Sequence, residues 1–290
     1  MIADAVTLNY RHAYHAGNFA DCFKHVALRL LLAAMHRKAK PFCYLDTHAG
    51  GAGYPLDSEA AARTQEWRNG IGRLWHSEGL EASVAAHVAA VRAEPGNDVA
   101  VEPRVVPGSA RIGQSWLRDG DRAVVCDALP EAATELKAAF RDDDRIAVHQ
   151  RDGYEALKAC LPPHERRGVV LVDPPFEQAD EFQRLLKAVR TAHRRWATGV
   201  YALWYPIKDE PAVAAFRQGL IDAGIPRVLI AEFWPRPRDV AGRFAGCGLA
   251  ILNPPWQLDD QLRSAAGCLV DRLADNRDLA GYRVEWLVGE

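Results

Sequence analysis

The sequence predicts an α/β fold built on a doubly wound parallel sheet of about seven strands. Short apolar runs bounded by turn residues recur along the chain, as buried strands do. Patterns with helical spacing fall between them, and strands alternating with helices make a parallel sheet. The first apolar run also ends in a loop of small residues, where open α/β sheets bind their ligands.

The elements follow in order. From Asn18 to about Lys38, Phe19, Cys22, Phe23, Val26, Leu30 and Leu31 recur at helical spacing. Asn18 is a suitable N-cap, and Asp21 lies in the first turn. Phe42–Asp46 is the first strand. Further strands are expected at Ala123–Cys126, Ile146–Val148, Val169–Val172, Val200–Trp204, Val228–Ala231 and Leu249–Leu252. Helices are expected at Glu131–Phe140, Tyr154–Cys160, Phe182–Trp196 and Ala212–Ala223. The gap between the first two strands is too long for one crossover helix. Within it, Ser58–Glu94 carries Trp67, Ile71, Leu74 and Trp75 at helical spacing. The chain is therefore expected to be one domain over 1–290, with residues 55–103 a helical insertion after the first strand. No repeat or low-complexity tract interrupts it.

Composition narrows the class. The 290 residues are 49% hydrophobic and 26% charged, the profile of a globular protein rather than a disordered one. No apolar run reaches the roughly 18 residues of a membrane span, and no secretory leader is visible at the N-terminus. The six cysteines form no C-x-x-C pair, so a thiolate zinc site is disfavoured and reduced thiols in a cytoplasmic protein are expected. The formal net charge of −2 argues at first against a nucleic-acid partner. Its distribution argues the other way. Arg11, Lys24, Arg29, Arg37, Lys38 and Lys40 face only Asp4 and Asp21 in residues 1–45. Residues 182–197 carry Arg184, Lys187, Arg190, Arg194 and Arg195 without an acid. Either run alone is more simply the solvated side of a helix. Together they suit a small basic footprint beside an active site, compensated by acids elsewhere.

The loop Asp46-Thr-His48-Ala-Gly50-Gly51-Ala-Gly53 does not match G-x-G-x-x-G. Asp46 would repel a pyrophosphate and suits a cationic or amine-bearing ligand instead. S-adenosylmethionine offers a sulfonium and an amino group. Asp127 ends the second strand, where a carboxylate can take ribose hydroxyls. Asp152-Gly153 follows the third, in reach of an adenine amino group. This acid, acid, Asp-Gly order is that of a methyltransferase, although Gly50, Gly51 and Gly53 could alternatively form a tight turn and nothing more.

Gly168–Val172 leads into Asp173-Pro174-Pro175-Phe176, a match to [DN]-P-P-[YFW]. The chemistry fits an exocyclic amine. Its lone pair is delocalised into the ring until two acceptors hold its hydrogens. The Asp173 carboxylate and the Pro174 carbonyl can do so, Pro174 and Pro175 stiffen the loop, and Phe176 can stack on a flipped base. Asn253-Pro-Pro-Trp256 matches the same pattern but follows the seventh strand, so it is expected to be a structural strand exit. Tyr10, Arg11 and His12 open the N-terminal segment and are expected at the substrate entrance, with Lys24 or His25 against the cofactor's carboxylate. His12, His15, His25 and His48 could suggest a metal, but no H-E-x-x-H or carboxylate-flanked pair accompanies them, and none is expected.

Across Tyr10–His25, Tyr44–Gly50, Pro107–Ser109, Asp173–Phe176, Tyr201–Pro206 and Asn253–Trp256 the chain resembles the bacterial 23S rRNA adenine-N6-methyltransferase family, that of ribosomal RNA large subunit methyltransferase J. The resemblance implies a Rossmann-like class I methyltransferase fold, S-adenosylmethionine as cofactor and 23S rRNA as partner. It implies cofactor contacts from His25, His48, Ser109, Asp127 and Asp152-Gly153, with Asp173 catalytic. The family's usual Ala-Gly-Ala-Gly reads Ala-Gly-Gly-Ala here. Asp127 stands for a usual Glu, and Phe176 for a usual Tyr. A monomeric cytoplasmic enzyme is expected. The competing readings are a DNA adenine methyltransferase, a non-catalytic RNA-binding module on the same fold, and a Rossmann oxidoreductase. Asp46 and the absent fingerprint disfavour the last.

Overall fold

The computed structural model describes residues 12–238 and 242–289. In chain order it forms α1 (Phe19–His36), β1 (Cys43–Asp46), β2 (Gly53–Pro55), α2 (Glu59–Thr64), α3 (Ile71–Leu74), α4 (Ala82–Arg92), β3 (Val105–Pro107) and α5 (Ser109–Ser115). Then come β4 (Arg122–Asp127), α6 (Pro130–Ala139), β5 (Ile146–Gln150), α7 (Gly153–Cys160), β6 (Gly168–Val172) and α8 (Glu181–Arg195). The remainder is β7 (Val200–Ile207), α9 (Glu210–Asp222), β8 (Val228–Trp234), β9 (Gly246–Leu252), α10 (Leu258–Leu273) and β10 (Gly281–Val288).

The central sheet runs β10-β8-β9-β7-β6-β1-β4-β5, eight strands rather than the expected seven. β5, β4, β1, β6 and β7 are mutually parallel, whereas β9 is antiparallel to β7 and β8, and β10 is antiparallel to β8. β1 is buried along its whole length between β4 and β6, which explains its unbroken apolar run. Its C-terminal end therefore lies beside those of β4 and β6. Three strands were missed in the sequence: β2 and β3, which pair antiparallel in a separate small sheet, and β10, an edge strand of the central sheet whose Arg283 and Glu285 interrupt the apolar pattern.

α1 packs between the sheet and the segment spanning α2 to α4. Nearly every α1 residue is buried, and Phe23, Val26, Leu28 and Leu31 share one core with Ile71, Trp75, Val84 and Val88. Asn18 caps the helix as its sequence suggests: its Oδ1 accepts from the backbone N–H of Ala20 and Asp21 at 2.9 and 3.0 Å. Such a helix carries polar side chains only where they are paired, and Asp21, Lys24 and His25 sit in its first two turns. Among the described residues, no helix is long and apolar enough to cross a membrane.

Candidate active site

The C-terminal ends of β1, β4, β5 and β6 surround a cavity of about 390 Å³. Lys24, His25, His48, Gly50, Ser109, Asp127, Asp152, Gly153 and Asp173 line it. A second cavity of about 80 Å³ lies against the first, walled by Asp21, Lys24, Asp173, Pro174, Pro175, Phe176, Trp204, Lys208 and Phe244. Asp173, Pro175, Lys24 and His12 belong to both walls. Asp173 thus stands at the junction. Tyr10 and Arg11 lie outside the described residues.

The loop after β1 is shaped by its glycine. Gly50 has a φ of +57°, a left-handed conformation, and a Cβ there would stand 2.3 Å from the Tyr54 hydroxyl. Gly50 N–H donates to Asp127 Oδ2 at 2.9 Å, and Leu129 N–H to its Oδ1 at 2.9 Å, so β4 fixes the loop of β1. Gly53 belongs to strand β2 and not to the turn. A Cβ on Gly153 would stand 2.4 Å from the His48 ring, so that pair closes one wall only because position 153 has no side chain. Asp152 N-caps α7, accepting from Tyr154 N–H at 2.9 Å and Glu155 N–H at 3.0 Å. Asp46 lies below the cavity rather than on its wall. It is wholly buried, accepts from the Tyr44 hydroxyl at 2.8 Å, and leaves Oδ1 without a hydrogen-bond partner. Burial pushes its carboxyl up to about 6, against the pull of the Tyr44 hydroxyl.

The first two turns of α1 supply a charge network. Lys24 Nζ donates to Asp173 Oδ2 at 2.6 Å and also lies 2.8 Å from Asp21 Oδ1. Asp21 Oδ2 is 3.0 Å from His12 Nε2 and accepts from Gly17 N–H at 2.9 Å. Burial would raise the Asp21 carboxyl, but His12, Lys24 and His25 hold it well below its ordinary range. Burial drives His25 and His48 the other way, toward neutral imidazoles. His25 lines the larger cavity with a buried Nε2 that lacks a hydrogen-bond partner. Lys24 or His25 is expected against the cofactor's carboxylate; the Lys24 ammonium lies on Asp173 instead. Asp21 is a site residue not expected from the sequence, although its spacing of three from Lys24 is the helical signal for such a pair.

The Asp-Pro-Pro-Phe turn is held in strained geometry. Phe176 has a φ of +49°, uncommon for a bulky side chain and characteristic of functional loops. Its ring meets Phe182 and Trp204 edge-on at 4.9 and 5.9 Å. Trp204, Phe244 and Lys208 of the smaller cavity were not singled out in the sequence as site residues. Asn253 is elsewhere. β9 is antiparallel, so its end lies at the N-terminal ends of the parallel strands, away from the pocket, where Asn253 Nδ2 donates to the carbonyls of Ala197 and Gly199 ahead of β7 at 2.7 and 2.8 Å. That is the strand-exit role expected for it.

The walls favour one ligand class. Among the described residues, Asp127, Glu131, Glu135, Asp152, Asp173, Glu177 and Glu181 face Lys24 and Arg184 as the Lys and Arg side chains of the larger cavity. This acidic lining repels a pyrophosphate and suits a nucleoside bearing a sulfonium and an amine. The orphaned His25 Nε2 and the bare Gly153 backbone offer polar contact and close approach. The residues present fit S-adenosylmethionine. Among the described residues, no group of three or more His, Cys, Asp or Glu is placed to hold a metal ion.

The sheet, the acidic pocket at its strand ends and the Asp-Pro-Pro-Phe wall define an S-adenosylmethionine-dependent methyltransferase. The family model for "Ribosomal RNA large subunit methyltransferase D, RlmJ" matches residues 39–288. The chain belongs to that family. It is 36% identical over 283 residues to ribosomal RNA large subunit methyltransferase J of Haemophilus influenzae, covering 98% of this chain and 100% of that one. The Escherichia coli protein of the same name is 35% identical over the same shares. A crystal structure of a Legionella pneumophila protein superposes with a TM-score of 0.85 at 29% identity, covering 94% of this chain and 98% of that one. A probable spermidine synthase from Corynebacterium glutamicum gives a TM-score of 0.51 at 11% identity, covering 94% and 77%, a likeness of fold alone.

Proposed function

We propose that this protein methylates the exocyclic N6 of a specific adenine in 23S ribosomal RNA. One observation carries the reading: Asp173 stands on the shared wall of a nucleoside-sized acidic cavity and a smaller aromatic-lined one. S-adenosylmethionine, when bound, supplies an electrophilic methyl group. His25, His48, Gly50, Ser109, Asp127, Asp152 and Gly153 are assigned to holding it, with Asp46 acting from beneath.

The flipped adenine enters the smaller cavity between Phe176, Trp204 and Phe244. An Asp173 carboxylate oxygen and the Pro174 carbonyl each accept one N–H of the amino group. That pulls nitrogen toward tetrahedral geometry and frees its lone pair. Lys24 fixes the Asp173 carboxylate and Asp21 fixes Lys24, so the acceptor is aimed before the base arrives. Closing the two cavities against each other makes transfer a matter of positioning. His12, on both walls, and the preceding Tyr10 and Arg11 are assigned to the substrate entrance.

The architecture proposed with this function is a single domain over 1–290, with residues 55–103 an insertion subdomain, acting as a cytoplasmic monomer. The test is methyl transfer to protein-free 23S rRNA and to duplex DNA, with the product mapped by mass spectrometry. One N6-methyladenine in the rRNA is expected. DNA as the better substrate would turn the assignment to the other nucleic acid.

A further inference from the structure

The Asn253-Pro-Pro-Trp256 segment has no part in the pocket, yet Trp256 is 78% exposed, the highest of the exposed large hydrophobic side chains among the described residues. Its carbonyl is not free to wander: Arg37 Nη1 donates to it at 2.9 Å. Arg37 caps the C-terminal end of α1, and with Lys38 and Lys40 it forms an exposed basic loop. That loop is tied down from behind. Arg118 donates to the carbonyls of Lys38 and Lys40 at 3.1 and 3.4 Å, and Arg167 to that of Lys40 at 2.6 Å. Its carbonyls face guanidinium groups while its lysine side chains stay exposed.

The nearby acids are already engaged. Asp121 lies beneath Arg118 at 2.7 Å, Glu165 pairs with Arg122 at 3.0 Å, and Asp259 and Asp260 are taken by Arg263 at 3.3 and 2.8 Å. Asp119 is exposed beside Arg118 in the chain and lies in the field of Arg145. What remains is Arg37 held at the Trp256 backbone, with the exposed Lys38 and Lys40 following it in a loop whose backbone is anchored. Cations without a set geometric partner suit phosphates, and a bare aromatic face suits an unpaired base. An apolar protein partner would call for a wider hydrophobic rim than a single indole.

We propose that this surface, at the strand ends opposite the pocket, is a second RNA-binding site for the ribosomal RNA substrate. Lys38 and Lys40 contact phosphates, and Trp256 stacks on an unpaired base outside the target adenine. This rests on the reading of the substrate as rRNA. From Lys24 on the pocket wall to Arg37, α1 rises about 20 Å at 1.5 Å per residue, so an RNA that ends closer than that to the target adenine does not reach the second site.

The experiment compares a 23S rRNA transcript with a short hairpin carrying the unmethylated target adenine. The variants are the Lys38→Gln/Lys40→Gln double substitution and Trp256→Ala, all at exposed positions. Unchanged melting temperature and S-adenosylhomocysteine binding confirm that they fold. On the transcript, KM rises roughly tenfold for each variant with kcat unchanged, while the hairpin KM stays put. In filter binding of the transcript, the slope of log K against log salt falls by about 2 for the lysine pair and not for Trp256→Ala. Unchanged transcript KM and slope overturn the proposal, and so does an equal rise on the hairpin. Loss of polyglutamate binding with transcript binding intact would reassign the surface to an acidic protein, overturning it as an RNA site. Filter binding needs no turnover. If the unmodified enzyme methylates neither RNA, the functional reading fails while the binding data still judge this surface.

Discussion

At the scale of single residues, the site depends on a buried relay that leads to Asp173. Asp173→Asn keeps the size of the side chain but presents an amide where two acceptors are needed. Its kcat should fall by about 10²–10³-fold, the cost of losing one preorganised partner, with S-adenosylhomocysteine affinity unchanged by calorimetry. Lys24→Met removes the cation shared by Asp21 and Asp173 and strands a buried carboxylate. It should lower both methylation and melting temperature, since breaking a buried pair costs about 3–5 kcal/mol. Asp46 gives a pH signature. Its folded value near 6 lies above the ordinary 3.8, so the folded state holds the proton more tightly than the unfolded chain. The stability this lends is full below pH 3.8 and is lost as pH rises through 6. Asp46→Asn should therefore gain most over the unsubstituted protein above pH 6, and progressively less toward pH 4, in urea titrations without cofactor. A gap that does not change with pH would show that the carboxyl titrates normally. The carboxylates Asp127, Asp152 and Asp173 were legible as short sequence patterns. The Lys24–Asp173 contact was not, because 149 residues separate the pair and only the sheet brings them together.

At the scale of elements, each central-sheet strand buried on both faces announced itself, whereas of the two half-exposed edge strands β5 was read and β10 was not. Phe42–Asp46 and Val169–Val172 read as continuous apolar runs because neighbours cover them on every side. β10 alternates Tyr282, Val284 and Trp286 with Arg283 and Glu285, the pattern of a half-solvated edge. The direction of β9 was not written in its residues either. Its apolar run fits parallel and antiparallel pairing equally, and only topology sends Asn253 to the strand ends opposite the pocket. Close strand packing makes a sharper prediction. A Cβ on Gly168 would stand 2.0 Å from the Cys43 carbonyl oxygen, so Gly168→Ala must separate β6 from β1. Those strands carry Asp173 and His48. The variant should lose several kcal/mol of stability, visible as a markedly lower melting temperature or insoluble expression. The cap of α1 is gentler: Asn18→Ala should cost about 1 kcal/mol, with activity reduced mainly through looser placement of Lys24.

At the scale of the whole molecule, the net charge of −2 conceals two separate basic surfaces. The expectation that both basic runs border the pocket needs correcting. Lys24 does so, but Arg37, Lys38 and Lys40 sit at the other end of α1, because the helix runs from the pocket at the C-terminal strand ends toward the opposite ends. The second run begins at the pocket wall with Arg184 and continues down α8 through exposed Lys187, Arg190 and Arg194. Leu185, Ala188, Val189 and Ala192 bury the opposite face of α8, so the charges are confined to its outer side. That ridge starts at the wall of the larger cavity, and its first turn packs on Phe176 through Phe182, so it should guide short and long RNAs alike. Lys187→Gln/Arg190→Gln should raise KM severalfold for the hairpin as well as for the transcript. The salt slope of binding should fall by about 2 in both cases. The Lys38/Lys40 surface should matter for the transcript alone. If the ridge variants left hairpin binding unchanged, the charges beside the pocket would be mere solvation of a surface helix, and the route of the RNA into the site would lie on another face.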